Sequence, residues 1–135
     1  MAKVAELPDY ASKDPVARMR VYQLARKLRT ASLEAAMLIQ QYPITEKIAG
    51  QLYTAVGSVV ARTVEGYSRS SGRDRARIFE YALGSAREAF EWYESAKHLL
   101  EPDIFNDRSN ALDEITRLML AIIPRERART IRLTK

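Results

Sequence analysis

The feature that most constrains this chain is a repeat of apolar residues at alternating steps of four and three. Ala17, Val21, Leu24, Leu28, Ala31, Ala35, Leu38 and Tyr42 fill every place of one such series. Phe79, Ala82, Ala86, Ala89, Tyr93, Ala96 and Leu100 fill another. A half-buried strand would alternate with period two, whereas this spacing draws a seam down one face of a helix. Shorter series run through Ile48, Leu52, Val56, Val59 and Thr63, and through Ile104, Ala111, Ile115, Leu118 and Ile122.

The breakers fall between these series. Pro43, the stretch from Gly66 to Gly72, and Pro102 divide the chain, and Pro124 closes the last segment. The spacing predicts four helices, over 15–42, 45–67, 72–100 and 103–123. Thr45 suits an N-cap before Glu46, and Ser71 with Asp74 makes a capping-box-like start. Gly66 is expected to end the second helix in a left-handed conformation. Short links between long amphipathic helices favour antiparallel neighbours, hence an all-α, up-down four-helix bundle. The second helix holds Ala49, Gly50, Ala55, Gly57 and Ala61. A helix-interior Gly costs about 1 kcal/mol relative to Ala, so close backbone packing is the expected offset. The division is an N-terminal arm over 1–14, the bundle over 15–124 and a basic tail over 125–135.

Composition removes several chemistries. The 135 residues include no Cys and one His. That leaves no disulfide, no Cys-based zinc site and no thiol nucleophile. One His cannot supply the pair of His ligands of a di-iron bundle. No metal site and no cofactor are expected, and neither a phosphate loop nor a Ser-His-Asp set can be assembled. No signal-peptide core or membrane-spanning run is present, so the expectation is a cytoplasmic protein with no membrane partner.

The corner region carries a resemblance. Ser58, Glu65, Gly66, Arg69 and Ser71 are followed by Ala82, Gly84, Ser85 and Glu88, and then by Leu112-Asp113-Glu114-Ile115. In this order and spacing, over about residues 15 to 123, the chain resembles the bacterial four helix bundle protein family. That family includes proteins encoded in intervening sequences of large-subunit ribosomal RNA genes. It is also similar to the accessory variability determinant proteins of diversity-generating retroelements. Val60 stands where the family usually has Pro, Arg62 where it has Asn and Ser68 where it has Gly. Arg75 takes the place of an expected aromatic. The resemblance implies a left-handed bundle assembled as a ring, a homopentamer, without enzymatic activity. It also implies nucleic acid as a ligand, and a reverse transcriptase as protein partner on the retroelement side.

Charge points the same way. Lys and Arg number 22 against 17 Asp and Glu, a net +5, and Arg outnumbers Lys. The Arg residues gather in three places: Arg18, Arg26 and Arg29; Arg62, Arg69, Arg73 and Arg77; and Arg125, Arg127, Arg129 and Arg132. Arg suits bidentate phosphate contact and stacking on bases. The competing readings are a solvated surface and an acidic protein partner. Independently of the resemblance, Met19, Tyr22, Leu33 and Met37 fall opposite the first helix's seam. A helix apolar on two faces should bury both, which predicts a subunit interface there and a homo-oligomer.

Other residues read more plainly. His98 falls on an outer face beside Glu94, as a surface ion pair. Glu88, Glu91 and Glu94 mark a solvated face rather than a metal site. Glu65 pairs with an Arg such as Arg69. Trp92 sits on the seam's flank as core edge, interface or stacking platform. Two functions therefore stand: a non-enzymatic oligomeric bundle that binds RNA or DNA through Arg, accessory to a ribonucleoprotein or reverse transcriptase; and a structural or protein-recruiting homo-oligomer with no nucleic-acid binding.

Overall fold

The computed structural model describes residues 13–134, with side chains through Arg129. Four helices run α1 (Arg20–Ile39), α2 (Glu46–Tyr67), α3 (Gly72–Ser95) and α4 (Pro102–Thr134). Short 3-10 turns at Pro15–Arg18, Pro43–Thr45 and Lys97–Leu99 precede or join them. No strand occurs among the described residues. Each helix packs on its sequence neighbour, and α1 returns to α4 through the thinnest of these contacts. This is the up-down bundle that the short links require.

The boundaries differ from the expected ones where local chemistry overrides periodicity. The first helix does not begin at 15. Asp14 accepts a hydrogen bond from the Val16 amide at 3.0 Å, capping a 3-10 turn. Met19 is then extended, and α1 starts only at Arg20. Thr45 does not cap α2. Its hydroxyl donates to the Ile39 carbonyl at 2.8 Å, closing the end of α1 instead. Ser71 does cap α3, accepting from the Asp74 amide at 3.1 Å.

The largest correction concerns Pro124. It does not end the last helix, and residues 125–134 continue α4 rather than forming a separate tail. Proline removes the hydrogen bond to the carbonyl four residues back and crowds it. Here that residue is Leu120, and both it and Pro124 lie on the exposed face, where water can take the freed carbonyl. On the other face Ile123 and Glu126 are buried and hold the helix to the bundle.

The core follows the seams with a drift. Phe79, Ala82, Ala86, Ala89, Tyr93, Ala96 and Leu100 are all buried, as the spacing predicts. In α1 the seam slides: Leu38 and Tyr42 are exposed, and Ile39 is buried in their place. An α-helix rotates about 20° per heptad against a strict 3.5 repeat, which moves the buried face by one residue near the end. In α4 the buried set is Leu112, Ile115, Met119 and Ile123, one residue later than Ala111, Leu118 and Ile122, which are half-buried. Inside the bundle Ser32 and Tyr93 share a hydrogen bond of 2.6 Å between α1 and α3. Burial pushes the Tyr93 phenol above its ordinary value, against the opposing effect of that bond and of nearby Arg108.

Candidate nucleic-acid interface

Up-down topology decides where the Arg clusters meet. The start of α1, the α2–α3 corner and the end of α4 all lie at one end of the bundle. Met19, Arg20 and Val21 line one groove with Ile122 and Arg125. Arg75 forms an ion pair with Glu126 at 3.3 Å, and Arg127 pairs with Glu80. Three stretches far apart in sequence thus become one basic end.

Arg75 is the residue that ties this end together. Its guanidinium donates to the Tyr67 carbonyl at 2.7 Å and to the Arg69 carbonyl at 3.3 Å. It lies over the Tyr67 ring, 5.0 Å from the centroid. Glu126, with a side chain 9% exposed, takes Arg75 on one side and Arg129 at 2.8 Å on the other. Arg75 therefore satisfies carbonyls at the end of α2 and anchors α4 beyond Pro124. It stacks on an aromatic where the resemblance would place one.

Gly66 serves this corner in a way that differs from the expectation. It is buried inside α2, and no described residue has a positive φ. A Cβ built there would lie 2.6 Å from Cε1 of the buried Phe79 ring. Close approach of α2 to α3, rather than a left-handed turn, requires glycine. One residue earlier, Glu65 accepts from Arg62 at 2.9 Å and from Arg69 at 3.0 Å. Hydrogen bonds from Arg62 first, then Arg69, hold its carboxyl below the usual range.

The remaining Arg residues sort by partner. Arg18, Arg73, Arg77 and Arg125 are exposed and have no acidic partner among the described residues. Arg26 is half-buried, donates to the Tyr22 hydroxyl at 2.8 Å and lies over that ring. Arg29 is half-buried in the middle of α1, away from the basic end. The side chain of Arg132 lies outside the described residues, as does most of the 1–14 arm.

The expected interface divides. Tyr22 is 5% exposed and belongs to the core, and Met19 packs half-buried against it. Leu33 and Met37 do lie outside, at 45% and 58% exposure, one turn apart on α1.

Some residues were legible only partly. Trp92 is half-buried and donates its indole N–H to Glu88 at 3.0 Å. Glu94 takes Lys97 at 2.7 Å as its partner, and His98 is exposed. Among the described residues no three His, Cys, Asp or Glu side chains gather as metal ligands, and no helix is long and apolar enough to cross a membrane. The Arg75–Glu126 pair escaped the sequence reading because its members lie 51 positions apart and the helix break expected at Pro124 stood between them. Tyr81 escaped it too, although it follows Arg77 at helical spacing of four.

The chain matches the profile of the family described as 23S rRNA-intervening sequence protein over residues 17–121. No curated protein matches it. Among solved structures it is similar to a protein with unknown function from the S23 ribosomal protein family from Bacteroides thetaiotaomicron VPI-5482. The two share 18% identity at a TM-score of 0.70, over 76% of this chain and 97% of that one. At that identity the likeness speaks for the fold alone.

Proposed function

Because the chain belongs to the 23S rRNA-intervening sequence protein family, we propose that it is a non-enzymatic bundle that binds RNA or DNA by the phosphate backbone. The observation that carries this reading is the convergence of Arg18, Arg73, Arg77 and Arg125 on one end of the bundle, with no acidic partner among the described residues. Each such Arg offers a phosphate two parallel donors and displaces condensed counterions. Contacts of this kind position a protein on nucleic acid without reading its sequence. On this reading the protein is an accessory to a larger ribonucleoprotein or to a polymerase such as a reverse transcriptase.

Filter binding at a series of salt concentrations tests the reading. Affinity should fall linearly on a log–log plot, and Arg73→Ala, Arg77→Ala and Arg125→Ala together should flatten the slope by about three. Absence of binding at low salt would sink it.

Leu33 and Met37 favour a second element, self-association. Two large exposed apolar side chains one turn apart, with Leu38 exposed beside them, are what a subunit contact would cover. In a ring, a pentamer by the resemblance, the basic end of each copy would repeat around the axis and strengthen the field. Leu33→Glu with Met37→Glu should then reduce the mass seen by light scattering, and an unchanged mass would reject this face. A purely structural or protein-recruiting oligomer is the outcome favoured if the ring persists while no nucleic acid binds.

A further inference from the structure

The outer face of α3 carries Arg73, Arg77 and Tyr81 at steps of four. Successive members are about 6 Å apart along the axis and share one face. Tyr81 is one of several large side chains that the core does not take up. The inner stripe of α3 is filled by Ala76, Phe79, Ala82 and Ala86, and Tyr81 stays 53% exposed.

The surroundings of its ring are asymmetric. The Arg62 guanidinium lies 5.7 Å from the centroid, brought across from α2. Glu65 holds that guanidinium at 2.9 Å. The Arg is therefore fixed as a cover on the ring, a cation–π contact, and the ring keeps open surface besides. One turn further, Gly84 is exposed in mid-helix, and a Cβ built on it would meet nothing within 4 Å. The fold gives no steric reason for glycine at this helix-destabilising position. Its lack of a side chain leaves clear space along the helix beside Tyr81.

These features define a flat π surface, backed by one cation and led up to by Arg73 and Arg77, which have no acidic partner among the described residues. We propose that Tyr81 is a base-stacking platform for single-stranded RNA or DNA, with Arg62 behind the ring and Arg73 and Arg77 on the adjoining phosphates. The proposal rests on the phosphate-binding reading above and narrows its ligand to strands with unpaired bases. In a duplex the base faces are already stacked on each other, whereas in a single strand every base has a free π-face. An aromatic and Arg surface of this kind reads no sequence, so the site should accept most bases.

The test uses the full chain and fluorescence anisotropy at low salt. The probes are a labelled 12-nucleotide single strand, in RNA and DNA forms, and a duplex of the same length. Tyr81→Leu keeps apolar bulk and removes the π-face; Tyr81→Trp restores one. Tyr81→Leu should weaken single-strand binding about tenfold, the scale of one lost base stack, and leave the duplex affinity and the salt slope unchanged. Tyr81→Trp should bind like the unaltered chain. Arg73→Ala with Arg77→Ala should lower the salt slope on both probes. If the Arg pair matters and Tyr81→Leu does not, phosphate binding stands and the stacking platform is overturned. An equal loss on strand and duplex overturns it as well. If the unaltered chain binds neither probe, the underlying reading fails and the platform with it.

Discussion

The two ends of the bundle are closed by similar means and carry opposite charge. One end gathers Arg18, Arg69, Arg73, Arg75, Arg77, Arg125, Arg127 and Arg129 around Glu65, Asp74, Glu80 and the nearly buried Glu126. The other joins the Pro43–Thr45 turn to the Lys97–Leu99 turn and carries Glu46, Glu94, Glu101, Asp103 and Asp107 against Lys47, Lys97 and Arg108. At the acidic end the ion pair of Lys97 with Glu94 is local and exposed. At the basic end the Arg75–Glu126 pair spans two helices and is largely buried. The difference teaches that a single chain can use Arg in two roles at one place. Arg75 is consumed by the fold, whereas Arg73 and Arg77 on the same helix have no acidic partner among the described residues.

The comparison can be broken most severely at Arg75. Arg75→Ala leaves Glu126 buried with only Arg129, and removing one partner of a buried pair costs about 3 kcal/mol. Chemical denaturation should show this loss, and the equivalent Lys97→Ala at the acidic end should cost under about 1 kcal/mol. Glycines sharpen the contrast next. Gly66→Ala forces a Cβ against Phe79 and should destabilise by about 1–2 kcal/mol, since overpacking outweighs the gain in helix propensity. Gly50→Ala, nearer the acidic end of α2, meets nothing within 4 Å and should stabilise by about 1 kcal/mol. Equal effects at the two glycines would mean that the α2–α3 corner is not tightly packed.

Smaller effects lie between the ends. Tyr93→Phe removes the partner of the buried Ser32 hydroxyl and should cost about 1 kcal/mol. Because the folded phenol holds its proton more tightly than the unfolded one, its stabilising effect is complete below the unfolded value of about 10 and fades as pH rises through the folded value. Tyr93→Phe should therefore flatten the alkaline limb of a stability–pH curve. The smallest effect belongs to Glu65. Its carboxyl, followed by NMR, should titrate below the ordinary range and return toward it in Arg62→Ala and again in Arg69→Ala.

The sequence made the bundle legible because its strongest signal, the four-three seam, reports a burial pattern that all four helices share. Every member of the α3 series is buried. The seam is less reliable where a helix drifts against a strict heptad, as at Leu38 and Ile39, or where the helix has not yet begun, as at the extended Met19. Proline's cost is local and reads as a stop in sequence, whereas the compensation that carries α4 past Pro124 comes from Arg75 across the bundle. The candidate site was legible as three clusters, and only topology places them at one end. Which Arg residues are already engaged depends on contacts such as Arg127 with Glu80 that no spacing reveals.

On the proposed function, the basic end, and that end alone, meets nucleic acid. The direct measurement is anisotropy of a labelled single-stranded RNA at low salt against two variants of the full chain. One carries Arg73→Ala, Arg77→Ala and Arg125→Ala; the other carries Lys47→Ala and Lys97→Ala. The first variant should lose at least about a hundredfold in affinity, since three phosphate contacts go together, and the second should bind unchanged. Equal losses in both, or unaltered binding in the first, would contradict the proposed function.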